Sequence, residues 1–156
     1  MMKNAIGIDS IQSEQLVHSL NDLLANYAVF YQNLRGFHWN ITGAAFFELH
    51  AKFEELYTGA NLAIDEIAER ILTLGGKPLH SFTSFIESSD ISEAKDANDA
   101  QSTVGTSISN LAVLLSKERA IMKLASSADD EGTMDLMSTY ISNQEKTVWM
   151  LKAYLK

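Results

Sequence analysis

Two histidines and two carboxylates stand where a helix would place them on or beside an apolar stripe. In the stretch FHWNITGAAFFELHAKFEELYTGANLAIDEIAERILTLGGKP, running from Phe37 to Pro78, His38 is followed by His50 and then by Asp65 and Glu69. Imidazole and carboxylate ligands placed on such a stripe suggest a metal site. Acids bordering an apolar stripe are costly to bury unless they are paired or metal-bound. A lone histidine in such a place is commonly a hydrogen-bonded core or interface residue, and a lone carboxylate a solvated edge. The metal reading therefore rests on the set: His38, His50, Asp65 and Glu69, with Glu54 one step round the same face.

The spacing within the set carries a further consequence. Asp65 and Glu69 are i,i+4 neighbours and can grip one ion. His50 and Asp65 are fifteen residues apart in sequence, about 22 Å along a straight helix. One continuous helix cannot bring both to a single ion. His38 approaches His50 only if the first two helices pack antiparallel. A site using both histidines and both acids is then completed by a second chain, and a two-fold interface would generate it twice. The alternative is two unrelated half-sites.

The elements that must hold these residues are long helices. The first is expected from about Ser10–Ser13 to Asn40, with Leu16, Leu20, Leu23, Tyr27, Phe30 and Leu34 inward and His38 continuing the series. His18 lies off that stripe and reads as solvated. Ile41-Thr42-Gly43 breaks the helix. The second is expected from about Ala44 to Leu74, with Phe46, His50, Phe53, Tyr57, Asn61, Ile64, Ala68 and Ile71 inward; Gly75-Gly76 and Pro78 end it. A crossover from Pro78 to about Ala97 follows, with a short amphipathic helix around Phe82, Phe85 and Ile86 and a surface His80. That length allows a connection running the height of a bundle. An apolar mini-helix there would be exposed unless a neighbour covers it.

The third long helix is expected over Asp99–Ser127, with Val104, Ile108, Leu111, Leu115, Met122 and Ala125 inward. Glu118 completes that series as a weak extra ligand candidate; a snorkelling or interface-paired glutamate is the plainer reading. The fourth follows Asp129-Asp130-Glu131-Gly132 and runs to about Leu155, with Met137, Ile141, Gln144, Val148, Leu151 and Leu155 inward. Acids at its start complement the helix dipole. The same acids, Asp129, Asp130, Glu131 and Asp135, would instead make a cation-attracting pore if they ringed a symmetry axis.

Bulk numbers agree with one helical domain over residues 1–156. Hydrophobic residues make up 46% and charged residues 21%, which is globular composition. One proline and eight glycines leave room for long helices. The absence of cysteine excludes disulfides and thiolate metal sites. A net charge of −8 without a basic cluster argues against a nucleic-acid surface. No apolar run resembles a signal peptide or spans a membrane, so a cytoplasmic protein is expected.

The words HWN, FFELHAKFEELY, DEIAERILTLGGKP, EGTMDL and EKTVWMLKAYL resemble the Dps proteins, the bacterial miniferritins, from about Leu20 to Leu155. The resemblance implies an all-α, ferritin-like four-helix bundle with a short helix in its long crossover, assembled into a dodecameric shell. It implies a ferroxidase that oxidises Fe(II), preferentially with hydrogen peroxide, and stores the ferric mineral against oxidative damage. By position, His38 and His50 would come from one subunit and Asp65 and Glu69 from its partner, holding two iron ions. Glu54 matches an additional acidic residue on the histidine side. Trp39 matches the tryptophan thought to intercept oxidising equivalents, and Asp130 and Asp135 match the region of the acidic pores. Many members bind DNA through a lysine-rich tail; none is seen in this sequence, and no DNA binding is expected.

Two other readings compete. An ordinary ferritin or bacterioferritin-type di-iron protein would want Glu-x-x-His pairs within one bundle, and the sequence contains none. A helical shell with a vestigial metal site is the second; a mass near that of a dodecamer together with iron-dependent peroxide loss separates it from the first reading.

Overall fold

A computed structural model describes residues 2–156. Five helices follow in order: α1 (Ser10–Asn40), α2 (Phe46–Thr73), α3 (Phe82–Ser88), α4 (Ala100–Ser127) and α5 (Glu131–Tyr154). The caps explain most of the boundaries. Asp9, Ser81, Asp99 and Asp130 each accept a hydrogen bond from a backbone N–H in the first turn of α1, α3, α4 and α5 respectively. Only α2 lacks a side-chain cap; it starts at Phe46, two residues past the expected Ala44. It ends where Gly75 takes φ +90°, a conformation that favours glycine. Gly76 must also be small, because a Cβ there would lie 2.4 Å from Val17 Cγ1.

Helix α1 is the hub. It packs along α2, α4 and α3, and α4 packs along α5. Every member of its expected stripe, from Leu16 to Leu34 and on to His38, is buried. The expected stripe of α2 needs correction. Its buried residues are Leu49, Phe53, Ala60, Ala63, Ile67 and Ile71, whereas Asn61 is exposed and Tyr57, Ile64 and Ala68 are half-buried. A reading that favours bulky side chains follows Tyr57 and Ile64 and passes over Ala60 and Ala63. On α4 and α5 the expected inward positions are buried or half-buried.

Three asparagines of α1 fix the crossover. Asn21 accepts from Leu79 N and donates to Lys77 O. Asn26, fully buried, accepts from Ser89 Oγ, Asp90 N and Ile91 N. Asn33 accepts from Ala94 N and donates to Ser92 O. At the far end Thr42 N donates to Asn98 O. The crossover thus climbs alongside α1 from its first third to its C-terminal end, about 32 Å at helical rise. That places α4 antiparallel to α1, the up-down topology with one long connection of ferritin-like bundles. Phe85 of α3 packs onto the core, while Phe82 is 89% and Ile86 48% exposed.

Candidate metal centre

The turn between α1 and α2 brings His38 and His50 face to face. Their rings stack at 3.8 Å between centroids and 14° between planes. Each Nδ1 lies 2.7 Å from the other residue's backbone carbonyl oxygen. A carbonyl only accepts, so each Nδ1 carries the proton, and in the neutral ring Nε2 keeps its lone pair. Pinning one ring nitrogen to a fixed acceptor is how metal-ligating histidines are oriented. The His38 carbonyl belongs to the last turn of α1, where carbonyls lack helical partners, so His50 also closes the helix end. Phe46 stacks on His50 at 5.1 Å, and Tyr57 meets His38 edge-on at 5.3 Å. His38 is buried and His50 half-buried. The result is two rigid imidazoles with both Nε2 atoms free to ligate.

The acids lie elsewhere. Asp65 and Glu69 sit on α2, which runs unbroken from Phe46 to Thr73, and both are exposed in the single chain. They face away from their own core, contrary to the expectation that a helix would turn them inward. Their outward placement is what the spacing argument needs if a second chain is to supply the other ligands. Among the described residues, no group of three or more His, Cys, Asp or Glu side chains gathers in one chain. Asp65 lies in a shallow groove with Gly59, Leu62, Ile64 and Ala68, and Leu62 is 61% exposed. Glu54, one turn beyond His50, is exposed. Trp39 is exposed too, with the Arg35 guanidinium 4.7 Å over its ring.

Glu118 is neither snorkelling nor at a surface. It is fully buried, and its Oε1 accepts from Tyr27 Oη and Gln144 Nε2, each at 2.7 Å. Burial pushes its carboxyl up to about 7, against the pull of those two donors. The same burial, with the Glu118 charge beside it, holds the Tyr27 phenol well above its ordinary value. Helical period could assign Glu118 an inward face; it could not reveal that Tyr27 and Gln144 converge on it from two other helices.

Asp130, one of the two pore candidates, is engaged within its own chain. Its carboxylate caps α5 through Thr133 N, accepts from Thr133 Oγ1 and pairs with Arg70 at 2.5 Å, and its side chain is buried. Charge complementarity at a helix start therefore explains it. Asp135 is exposed and lines a cleft of about 860 Å³ between α2 and α5, together with Glu55, Glu66, Glu69 and Arg70. His18 and His80 are exposed, as expected.

A long-crossover bundle of four helices carrying exposed carboxylates and oriented histidines defines a ferritin-like protein, and residues 17–156 match the ferritin-like domain family. A Vibrio cholerae Dps crystal structure, described as a member of the ferritin-like diiron-carboxylate superfamily, superposes with a TM-score of 0.98 at 53% identity, covering 100% of this chain and 98% of that one. A "DNA protection during starvation protein" of Porphyromonas gingivalis is 44% identical, over 98% of each chain. An uncharacterized Haemophilus influenzae protein is 48% identical over 98% of this chain and 96% of its own. The chain belongs to the Dps family.

Proposed function

We propose that the protein is a Dps-type miniferritin that binds Fe(II) between two subunits, oxidises it with hydrogen peroxide and stores the ferric product inside a dodecameric shell. The observation that carries this reading is the reciprocal His38–His50 pair, whose Nδ1 protons are spent on carbonyls so that both Nε2 atoms are left for a metal. In the shell, Asp65 and Glu69 of one chain lie opposite the histidines of the next, with Glu54 beside His50 as a ligand or as a partner of one. Iron is substrate and cargo here, and the ligand chemistry suits it. Two Fe(II) and one H2O2 with two protons give two Fe(III) and two waters. The two-electron step avoids the hydroxyl radical that a single Fe(II) would release.

Asp135, at the cleft between α2 and α5, is the exposed candidate for attracting incoming cations. Among the described residues no helix is long and apolar enough to cross a membrane, and the proposed place of action is the cytoplasm. Titration calorimetry of the metal-free protein with Fe(II) under argon tests the site. Wild type is expected to bind Fe(II), and a His38→Ala, Asp65→Ala double variant to lose that binding. Unchanged binding in the double variant rejects the assignment.

A further inference from the structure

Helix α2 packs along α1, and α5 packs along α4. Where α2 and α5 face each other, α2 presents Gly59, Ala60 and Ala63, side chains too small to reach across, and the cleft of about 860 Å³ remains between them. Its lining is apolar at Leu56, Leu111, Leu136 and Met150. Glu55, Glu66, Glu69 and Asp135 are spread along its length rather than gathered. Of the two bases that line it, Arg70 is taken up by Asp130, and Lys146 lies eleven residues along α5 from Asp135. The end near Asp135 and Glu66 is therefore the one with unopposed negative charge. Gln144 also lines the cleft and is only 9% exposed. Its Nε2 is committed to Tyr27 Oη and Glu118 Oε1, while its Oε1 has no hydrogen-bond partner. A buried carbonyl oxygen without a donor is costly, and the cleft is the side from which a ligand can supply one.

We propose that this cleft binds a linear aliphatic diamine or polyamine. One ammonium donates to Gln144 Oε1, a second lies against Glu66, and the methylenes between them rest on the apolar lining. A metal ion wants its oxygen ligands converging on one point, and among the described residues no three His, Cys, Asp or Glu side chains do so. Acids and an orphaned carbonyl separated by apolar surface match instead a ligand whose charges are held apart by a hydrocarbon chain. The spacing fits. Tyr140 Oη donates to Glu66 Oε1 at 3.2 Å and so marks the level of Glu66 on α5. Gln144 is one helical turn further on, about 6 Å, a span that the carbon chain of putrescine covers. Asp135 is nine residues from Gln144, about 13 Å along the helix, within reach of a longer polyamine. The proposal is independent of the ferroxidase reading, because neither Glu66 nor Gln144 is a proposed iron ligand.

The test is titration calorimetry of the full-length, metal-free, assembled protein with putrescine, with butylamine as the one-charge comparator and Mg2+ as the compact divalent one. Wild type is expected to bind putrescine about tenfold more tightly than butylamine, the second ammonium adding a charge-assisted contact. Glu66→Gln keeps the side chain's shape and removes its charge; it is expected to bring putrescine down to the affinity of butylamine. Gln144→Met removes the orphaned carbonyl and is expected to weaken putrescine and butylamine alike. Glu14→Gln, an exposed acid on α1 outside the cleft, is expected to change neither. Should Gln144→Met fail to assemble, Glu66→Gln against Glu14→Gln decides alone. Putrescine no tighter than butylamine overturns the proposal. So does an equal loss in Glu66→Gln and Glu14→Gln, which would mean general attraction to an acidic protein. Displacement of putrescine by an equal concentration of Mg2+ overturns it as well, because the cleft would then be reading charge and not the chain between charges.

Discussion

The residues that bear on chemistry divide by what satisfies them. His38 and His50 are satisfied at one nitrogen and open at the other, which is the state the proposed ligand role requires. Asp130 is satisfied at every turn, by the α5 backbone, by Thr133 and by Arg70, which is the signature of a structural group. Its removal has a definite cost. Asp130→Ala deletes an N-cap, worth about 1 kcal/mol, and strands a largely buried arginine whose partner is gone, for a total loss of about 3–5 kcal/mol. Asp130→Asn keeps a good cap and gives up only the charge, so it should fall between wild type and the alanine variant. Thermal unfolding of the three proteins checks the order. Equal midpoints for Asp130→Ala and wild type would show that the pair contributes nothing. At this scale the sequence was informative about the histidines, because a polar residue continuing an apolar stripe stands out. Asp130 was ambiguous, because a capping acid and a pore acid have the same neighbours in sequence.

Among the helices, the polar cluster Tyr27–Glu118–Gln144 joins α1, α4 and α5 at the centre of the bundle. Glu118 Oε2 and Gln144 Oε1 are buried without a hydrogen-bond partner. The folded-state value near 7 is raised above the ordinary 4.5. A raised acid favours the folded state below the unfolded value, where both states hold the proton, and loses that advantage as pH rises. The loss accumulates between about pH 4.5 and 7 and amounts to about 3 kcal/mol. Glu118→Gln cannot ionise and should remove this part of the pH dependence, leaving the variant less sensitive than wild type from pH 5 to 8. Parallel slopes in thermal unfolding across that range would contradict the assignment. The four long helices and the short helix in the crossover were legible because apolar period and Gly75-Gly76 mark them, whereas the start of α2, which has no side-chain cap, was placed two residues early. The α2 stripe was misread at Ala60 and Ala63, since small residues contribute little to a periodic signal. The stitching by Asn21, Asn26 and Asn33 was invisible, because asparagines spaced along a helix become anchors only when another segment is laid beside them.

The whole molecule carries twenty acids against twelve bases, and the described N-terminal residues fold back, with an isolated antiparallel backbone bridge between Lys3 and Asp9 and with Asn4 bonded to Ser13 and the Leu74 carbonyl. Counterion release needs clustered cations on a free surface, so no appreciable DNA binding is expected at neutral pH and physiological salt; a clear plasmid gel shift under those conditions would refute it. The proposed division of the metal site between chains permits a sharper test. His38→Ala damages the histidine half and Asp65→Ala the acidic half, so each variant alone should lack every site. When the two are co-expressed, an interface between unlike chains places both lesions in one of its two sites and leaves the other intact. Random mixing makes half the interfaces unlike, and about one quarter of the sites should therefore return. Fe(II) oxidation by the mixed shells, measured against wild type at equal protein, reads that fraction directly. A site built within one chain would recover nothing on mixing, whatever the ratio of the two variants. Recovery of activity from two inactive chains is thus a property only a shared site can have, and it ties the fifteen-residue gap between His50 and Asp65 to assembly as a condition for chemistry.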